Sequence, residues 1–171
     1  MGQYLYGWIE VKSIWGYTEN DHRHNKEKWA NSIWSGVFKI STLCLKDHNF
    51  RFLVYMEDKF SEEELEAMEK RGLPPKFSIE TENSLKECFE LYKNENYKQL
   101  NEKQTQELEA YFKTYEWVTA TWLTFEGINS IDWNKNKNLP SEYLIYQTMK
   151  LLVDYFGKDN VRLVLWPYSM Y

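Results

Sequence analysis

The hydrophobic pattern along the chain changes period several times, and each change marks an element. Residues 4–12 alternate, with Tyr6, Trp8, Glu10 and Lys12 on one side and Gly7, Ile9 and Val11 on the other. A period of two belongs to a strand. Both sides are largely apolar, so one flank of this strand is expected to be covered by helices. Residues 18–28 (TENDHRHNKEK) are polar and predict an exposed loop. Residues 29–45 are rich in β-formers, with a strand expected around 37–40. Residues 50–56 form a dense apolar run that suits either a strand or a buried helix, and periodicity does not separate the two.

The period then lengthens. Ser61-Glu62-Glu63-Glu64 reads as a capping box, in which the Ser oxygen accepts an amide N–H three residues on and Glu64 reaches back. The acidic first turn suits the helix dipole. Gly72 can take the left-handed conformation that stops a helix, and Pro74-Pro75 forbids its continuation. Leu85, Cys88, Phe89 and Tyr92 recur at helical spacing within 79–92. A third helix is expected over 99–115, with Leu108, Tyr111, Phe112 and Tyr115 on one stripe. Residues 116–125 (EWVTATWLTF) alternate and predict a strand. A short turn and loop follow over 127–137. Ser141 is expected to cap the last helix, whose core face carries Ile145, Met149, Leu152 and Phe156 and which Gly157 ends. Residues 158–160 turn the chain into a final strand over 161–166. There is no internal repeat, linker or break in composition. The whole pattern predicts one α+β domain over 1–171, a mainly antiparallel or mixed sheet packed against three to four helices.

A chain of 171 residues buries roughly 70% of its unfolded surface, enough to fold without metal or disulfide. The formal charge is −5, from 21 basic and 26 acidic side chains. That argues against binding a nucleic acid duplex, which needs a clustered basic surface, but leaves room for a small basic pocket. Cys44 and Cys88 form no Cys-x-x-Cys pair and are expected to be free, buried thiols. No apolar run approaches 18 residues, so no membrane span is expected. The first residues lack a signal-peptide pattern, and the cytoplasm follows by elimination. The unusual quantity is the aromatic content of 18%, with 8 Trp and 13 Tyr. Such rings fill cores, anchor interfaces and stack on flat ligands.

Candidate chemistry is sparse. Asp21, His22 and His24 carry groups that bind zinc or manganese, but not at helical His-x-x-x-His spacing, and a solvated loop explains them. Asp47 and His48 are adjacent, so on a strand they would point to opposite faces. There is no Gly-x-Ser-x-Gly, no Gly-x-Gly-x-x-Gly and no Walker loop. Glu62, Glu63, Glu64, Glu66 and Glu69 read as a solvated helix face. No metal and no cofactor is expected, and no recognisable catalytic motif is present.

Three stretches carry a resemblance. Arg71-Gly72-Leu73-Pro74-Pro75-Lys76-Phe77-Ser78 resembles an Arg-Gly-Leu-Pro-x-x-x-Ser signature. Ala120-Thr121-Trp122-Leu123-Thr124 resembles a downstream Ser-Trp-Leu-Thr strand. Asn160-Val161-Arg162-Leu163-Val164-Leu165-Trp166 resembles a closing Val-Arg-hydrophobic-aromatic strand. Together they are similar to a large, functionally obscure family of small proteins of phage genomes and mobile elements. Many members carry histidines just before the Ser-Trp-Leu-Thr strand, where this chain has Val118 and Thr119. Any metal or acid–base role resting on those histidines therefore does not carry over to this chain.

The resemblance implies a non-enzymatic counter-defence protein in the host cytoplasm. One expectation is capture of a nucleotide-derived immune signal, with Trp and Tyr stacking a base and isolated arginines such as Arg51, Arg71 and Arg162 taking phosphate. The residues expected to line such a site are Arg71, Ser78, Trp122, Thr124, Trp8, Trp15 and Arg51. The alternatives are a protein–protein inhibitor of a bacterial defence enzyme, whose acidic surface steers toward a basic partner, and a hydrolase with an unfamiliar site using His22, His24 or His48 with Asp47 or Asp21. A homo-oligomer remains compatible with each. Purely local roles compete: Gly72 as helix stop, the prolines as rigid turn and Ser78 as cap. Arg71 has no such local need, and a guanidinium there can bind carbonyls or a phosphate.

Overall fold

The computed structural model describes residues 3–12, 34–44, 51–96, 99–136 and 140–169. Strand β1 (Gln3–Lys12) is followed by β2 (Trp34–Cys44), then by helices α1 (Arg51–Val54), α2 (Glu62–Glu69), α3 (Ile79–Asn96) and α4 (Glu102–Thr114). Strand β3 (Thr121–Thr124) leads directly into α5 (Phe125–Asn129) and α6 (Pro140–Phe156). A 3-10 turn (Lys158–Asn160) then delivers β4 (Val161–Ser169). The four strands form one antiparallel sheet in the order β2-β1-β4-β3. This is the expected α+β architecture, with four helices of eight residues or more and two shorter ones among the described residues. None of these helices is long and apolar enough to cross a membrane.

The two chain-terminal strands are the central ones, so the sheet closes only when residues more than 150 positions apart pair, as Glu10 does with Arg162. At Gly7 a β-carbon would lie 2.2 Å from the Val164 carbonyl oxygen, and no side chain fits there. In β2 the register shifts between Ile9 and Glu10, which pair with Phe38 and Gly36, leaving Val37 as the extra residue of a bulge.

Both faces of the sheet are covered, not one flank alone as the β1 pattern leads one to expect. On one face Ile9, Val11, Leu123, Leu163 and Leu165 meet Phe52, Met56, Ile128, Ile145 and Met149, the larger core. On the other, Val164 and Trp166 meet Leu85 and Ala120, with Tyr6, Trp8, Leu73, Phe77, Trp117 and Trp122 packed around them.

Several boundaries differ from expectation. The apolar run at 50–56 is helical where regular, as α1. The alternating stretch 116–125 is a strand only over Thr121–Thr124. Its first half is held back against α4. Tyr115 reverses the chain with φ 56°, Trp117 Nε1 donates to the Phe112 carbonyl at 3.1 Å, and the two rings stack at 5.7 Å. Ser141 is not a cap, because α6 already begins at Pro140, a residue pre-shaped for the first helical position. The 127–137 segment begins inside α5, which Thr124 caps.

Candidate functional site

The face bearing the smaller core gathers most of the motif residues. Register places Trp8 and Trp122 in one row, each opposite Val164 of β4, and Glu10, Arg162 and Thr124 in the next. Helix α2 ends at Glu69, and the chain then passes through Gly72, whose φ of +72° is the left-handed value expected of it. The 71–78 turn lies over this face and is tied to it at three points.

The first tie is Arg71. Its Nη1 donates to the Trp122 carbonyl at 2.7 Å, and its guanidinium sits 4.5 Å from the centroid of the Trp122 ring. Since β3 is an edge strand, Arg71 supplies a donor to a carbonyl at the sheet margin. Partial burial pushes its pKa below the ordinary value, although the residue remains solvent-accessible.

The second and third ties converge on a buried ion pair. Arg162 donates from Nε (2.8 Å) and Nη2 (2.6 Å) to Oε2 of Glu10, and Nη2 also donates to the Lys76 carbonyl. The opposite carboxylate oxygen, Oε1, accepts from the Ser78 amide at 2.8 Å and from the Thr81 hydroxyl at 2.7 Å. The guanidinium lies 3.7 Å from the Trp34 ring centroid. Glu10 is wholly buried and Arg162 nearly so. Burial lowers the Arg162 pKa, while the charge and hydrogen bonds of Glu10 oppose that shift. A buried charge demands such full pairing. Four donors on one carboxylate occupy both oxygens of Glu10 twice over.

The remaining expected residues are similarly engaged. The Ser78 hydroxyl accepts from the Thr81 amide at 3.1 Å, so Ser78 caps α3. Trp8 Nε1 donates to Ser84 at 2.9 Å. Thr124 is exposed, and its hydroxyl accepts from the Gly127 amide at 3.3 Å to cap α5. Glu80 of α3 accepts from the Gly36 amide at 2.9 Å and holds the helix against β2. Trp15, and with it His22, His24, His48, Asp21 and Asp47, lies outside the described residues, as does the side chain of Arg51. Among the described residues no three His, Cys, Asp or Glu groups cluster to hold a metal.

The structure thus brings Arg71, Trp122, Thr124 and Trp8 to one face, with Ser78 above it. The sequence does not single out Glu10, Thr81 or Trp34. The available signal was Glu10 itself, a charge alternating in phase with Tyr6 and Trp8 on an otherwise apolar strand. Elsewhere, an open cavity of about 360 Å³ lies along α4, lined by Leu100, Gln104, Glu107, Leu108 and Tyr111. On α6, Leu144, Leu151 and Tyr155 are 52%, 72% and 78% exposed. No protein-family model, curated protein or solved structure matches this chain.

Proposed function

We propose that this protein acts by binding, as a non-enzymatic counter-defence protein of the type its phage-family resemblance implies, and that it binds a bacterial defence protein in the host cytoplasm. The exposed stripe of α6 carries this reading. Leu144, Leu151 and Tyr155 recur at spacings of 7 and 4, on the side of the helix away from the buried Ile145 and Met149. Large apolar groups gathered on one exposed helix face mark a surface that another protein covers, and Leu and Tyr at such spacing fit helix-in-groove recognition. The test is capture of a partner from a defence-positive bacterium by the wild type, by Leu151→Glu/Tyr155→Glu and by Arg71→Ala. The expected result is a partner retained by the wild type and by Arg71→Ala and lost by the double variant. Capture that ignores the double variant overturns the reading.

Nucleotide capture is the second reading, favoured by one observation: the accessible Arg71 guanidinium already stacks on Trp122. A base would displace the guanidinium from that ring, and the released cation would take a phosphate. Release of an intact nucleotide on heating the purified protein, abolished by Trp122→Ala, would establish it in place of the first.

A further inference from the structure

The cavity along α4 has a chemistry of its own. Leu100, Leu108 and the Tyr111 ring give it apolar walls, and Glu107 and Gln104 give it a carboxylate and an amide. None of these lining residues is a cation. Along α4 itself Glu outnumbers Lys three to two. That lining disfavours a phosphate. It suits a side chain with a long methylene stem and a cationic head, the shape of lysine or arginine. Tyr111 is 43% exposed and offers a ring face to such a cation. The present partner of Glu107 is Lys103, at 3.8 Å with both side chains largely in water. Pairs of that kind contribute little, so an incoming cation displaces Lys103 readily.

We propose that this groove seats a basic side chain from an amphipathic segment of the protein partner, an inference that rests on the partner being a protein. The stem lies along Leu100, Leu108 and Tyr111, and the head reaches Glu107 and Gln104. The probe is a fluorescently labelled synthetic peptide of alternating leucine and lysine turns, with a second peptide carrying glutamate in place of lysine. Each is titrated by anisotropy against the full chain, against Glu107→Lys and Glu107→Gln, and against Glu63→Lys, a charge-matched change on the solvated face of α2. Binding of the lysine peptide alone is expected, weakened at least tenfold by Glu107→Lys, several-fold by Glu107→Gln and less than twofold by Glu63→Lys. Equal weakening by Glu107→Lys and Glu63→Lys would reduce the effect to net charge and overturn the proposal, as would no binding to the wild type. The α6 residues are unchanged throughout, so a failure here leaves the capture experiment on Leu151 and Tyr155 standing, and a failure there leaves this one standing.

Discussion

Replacing Arg162 by methionine tests whether the buried ion pair holds the sheet and the 71–78 turn together. The substitution keeps much of the aliphatic volume and removes three hydrogen bonds, two to Glu10 and one to the Lys76 carbonyl. It also removes the cation stacked on Trp34. Glu10 is 0% exposed, so its charge cannot turn to water. Breaking a buried pair from one side costs about 3–5 kcal/mol, because the surviving charge stays desolvated. In a chain of this size each kcal/mol moves Tm by about 3 °C, so a fall of about 10 °C is expected.

The assay is urea unfolding followed by tryptophan fluorescence, with Glu10→Leu and the double variant completing a cycle. Removing both charges leaves no buried ion. The Ser78 amide and the Thr81 hydroxyl then lose their common acceptor, each at about 1–3 kcal/mol. The double variant should therefore be less damaged than the sum of the singles, by about 2 kcal/mol or more. If Arg162→Met alone costs under about 1 kcal/mol, the pair is not the clasp described here. Strict additivity of the two singles would refute the reasoning as well.

Gly7→Ala should destabilise by about 2–3 kcal/mol, because its new carbon meets a fixed backbone oxygen, Val164 O, at 2.2 Å; thermal unfolding measures it. Alkaline pH should weaken the fold. Burial pushes the Cys88 thiol above its ordinary value near 9, with the Trp166 N–H opposing that shift, and burial likewise raises the Tyr115 phenol. Both groups are neutral when protonated, so the folded chain keeps protons that the unfolded chain releases. Their contribution is complete below the unfolded pKa and is lost as pH rises through the folded one; the urea midpoint should fall from pH 8.5 upward, less steeply in Cys88→Ala. Tyr115→Gly should be destabilising even though it relieves a left-handed φ of 56°, since the ring contacts with Phe77 at 5.3 Å and Phe112 at 5.7 Å are worth more than the roughly 1–2 kcal/mol of strain.

Features set by neighbours in sequence were legible. Both hydrogen bonds of the Ser61 capping box are present, Ser78 caps α3, and Ile145 and Met149 face the core as their spacing requires. Features set by distant partners were not. Nothing near Glu10 announces an arginine 152 positions away, and nothing near Trp34 announces that its ring will cover that arginine. The expected strand at 116–120 failed for a related reason. Alternation reports two-sided exposure, and a turn packed against the end of α4 by Trp117 produces the same pattern. For the candidate site, the motifs that carry the resemblance could name Arg71 and Trp122, but that is all they could do. They could not show that Arg71 would find its carbonyl on the backbone of Trp122 itself.

The aromatic excess has a physical explanation in the architecture. A four-stranded sheet covered on both faces needs two cores, and a short chain has few residues to build each. Rings supply the most buried area per residue. On the larger-core side Trp133 packs against Tyr146 at 4.9 Å and Phe52 at 6.5 Å, with its N–H satisfied by the Ile128 carbonyl at 3.0 Å. On the other side, among the described residues, α3, α4, the 115–120 segment and the 71–78 turn provide the cover. Tyr6, Trp8, Trp117, Trp122 and Trp166 fill what a thin helical layer leaves open. The Trp166 N–H is buried there with no partner of normal hydrogen-bonding geometry, the cost of choosing area over polarity at the centre of a sheet. Most described rings are thus spent on closing the fold. Tyr92, Tyr111 and Tyr155 are the exposed exceptions, and Tyr111 and Tyr155 stand on the outer helix faces where the proposed partner would have something to grip.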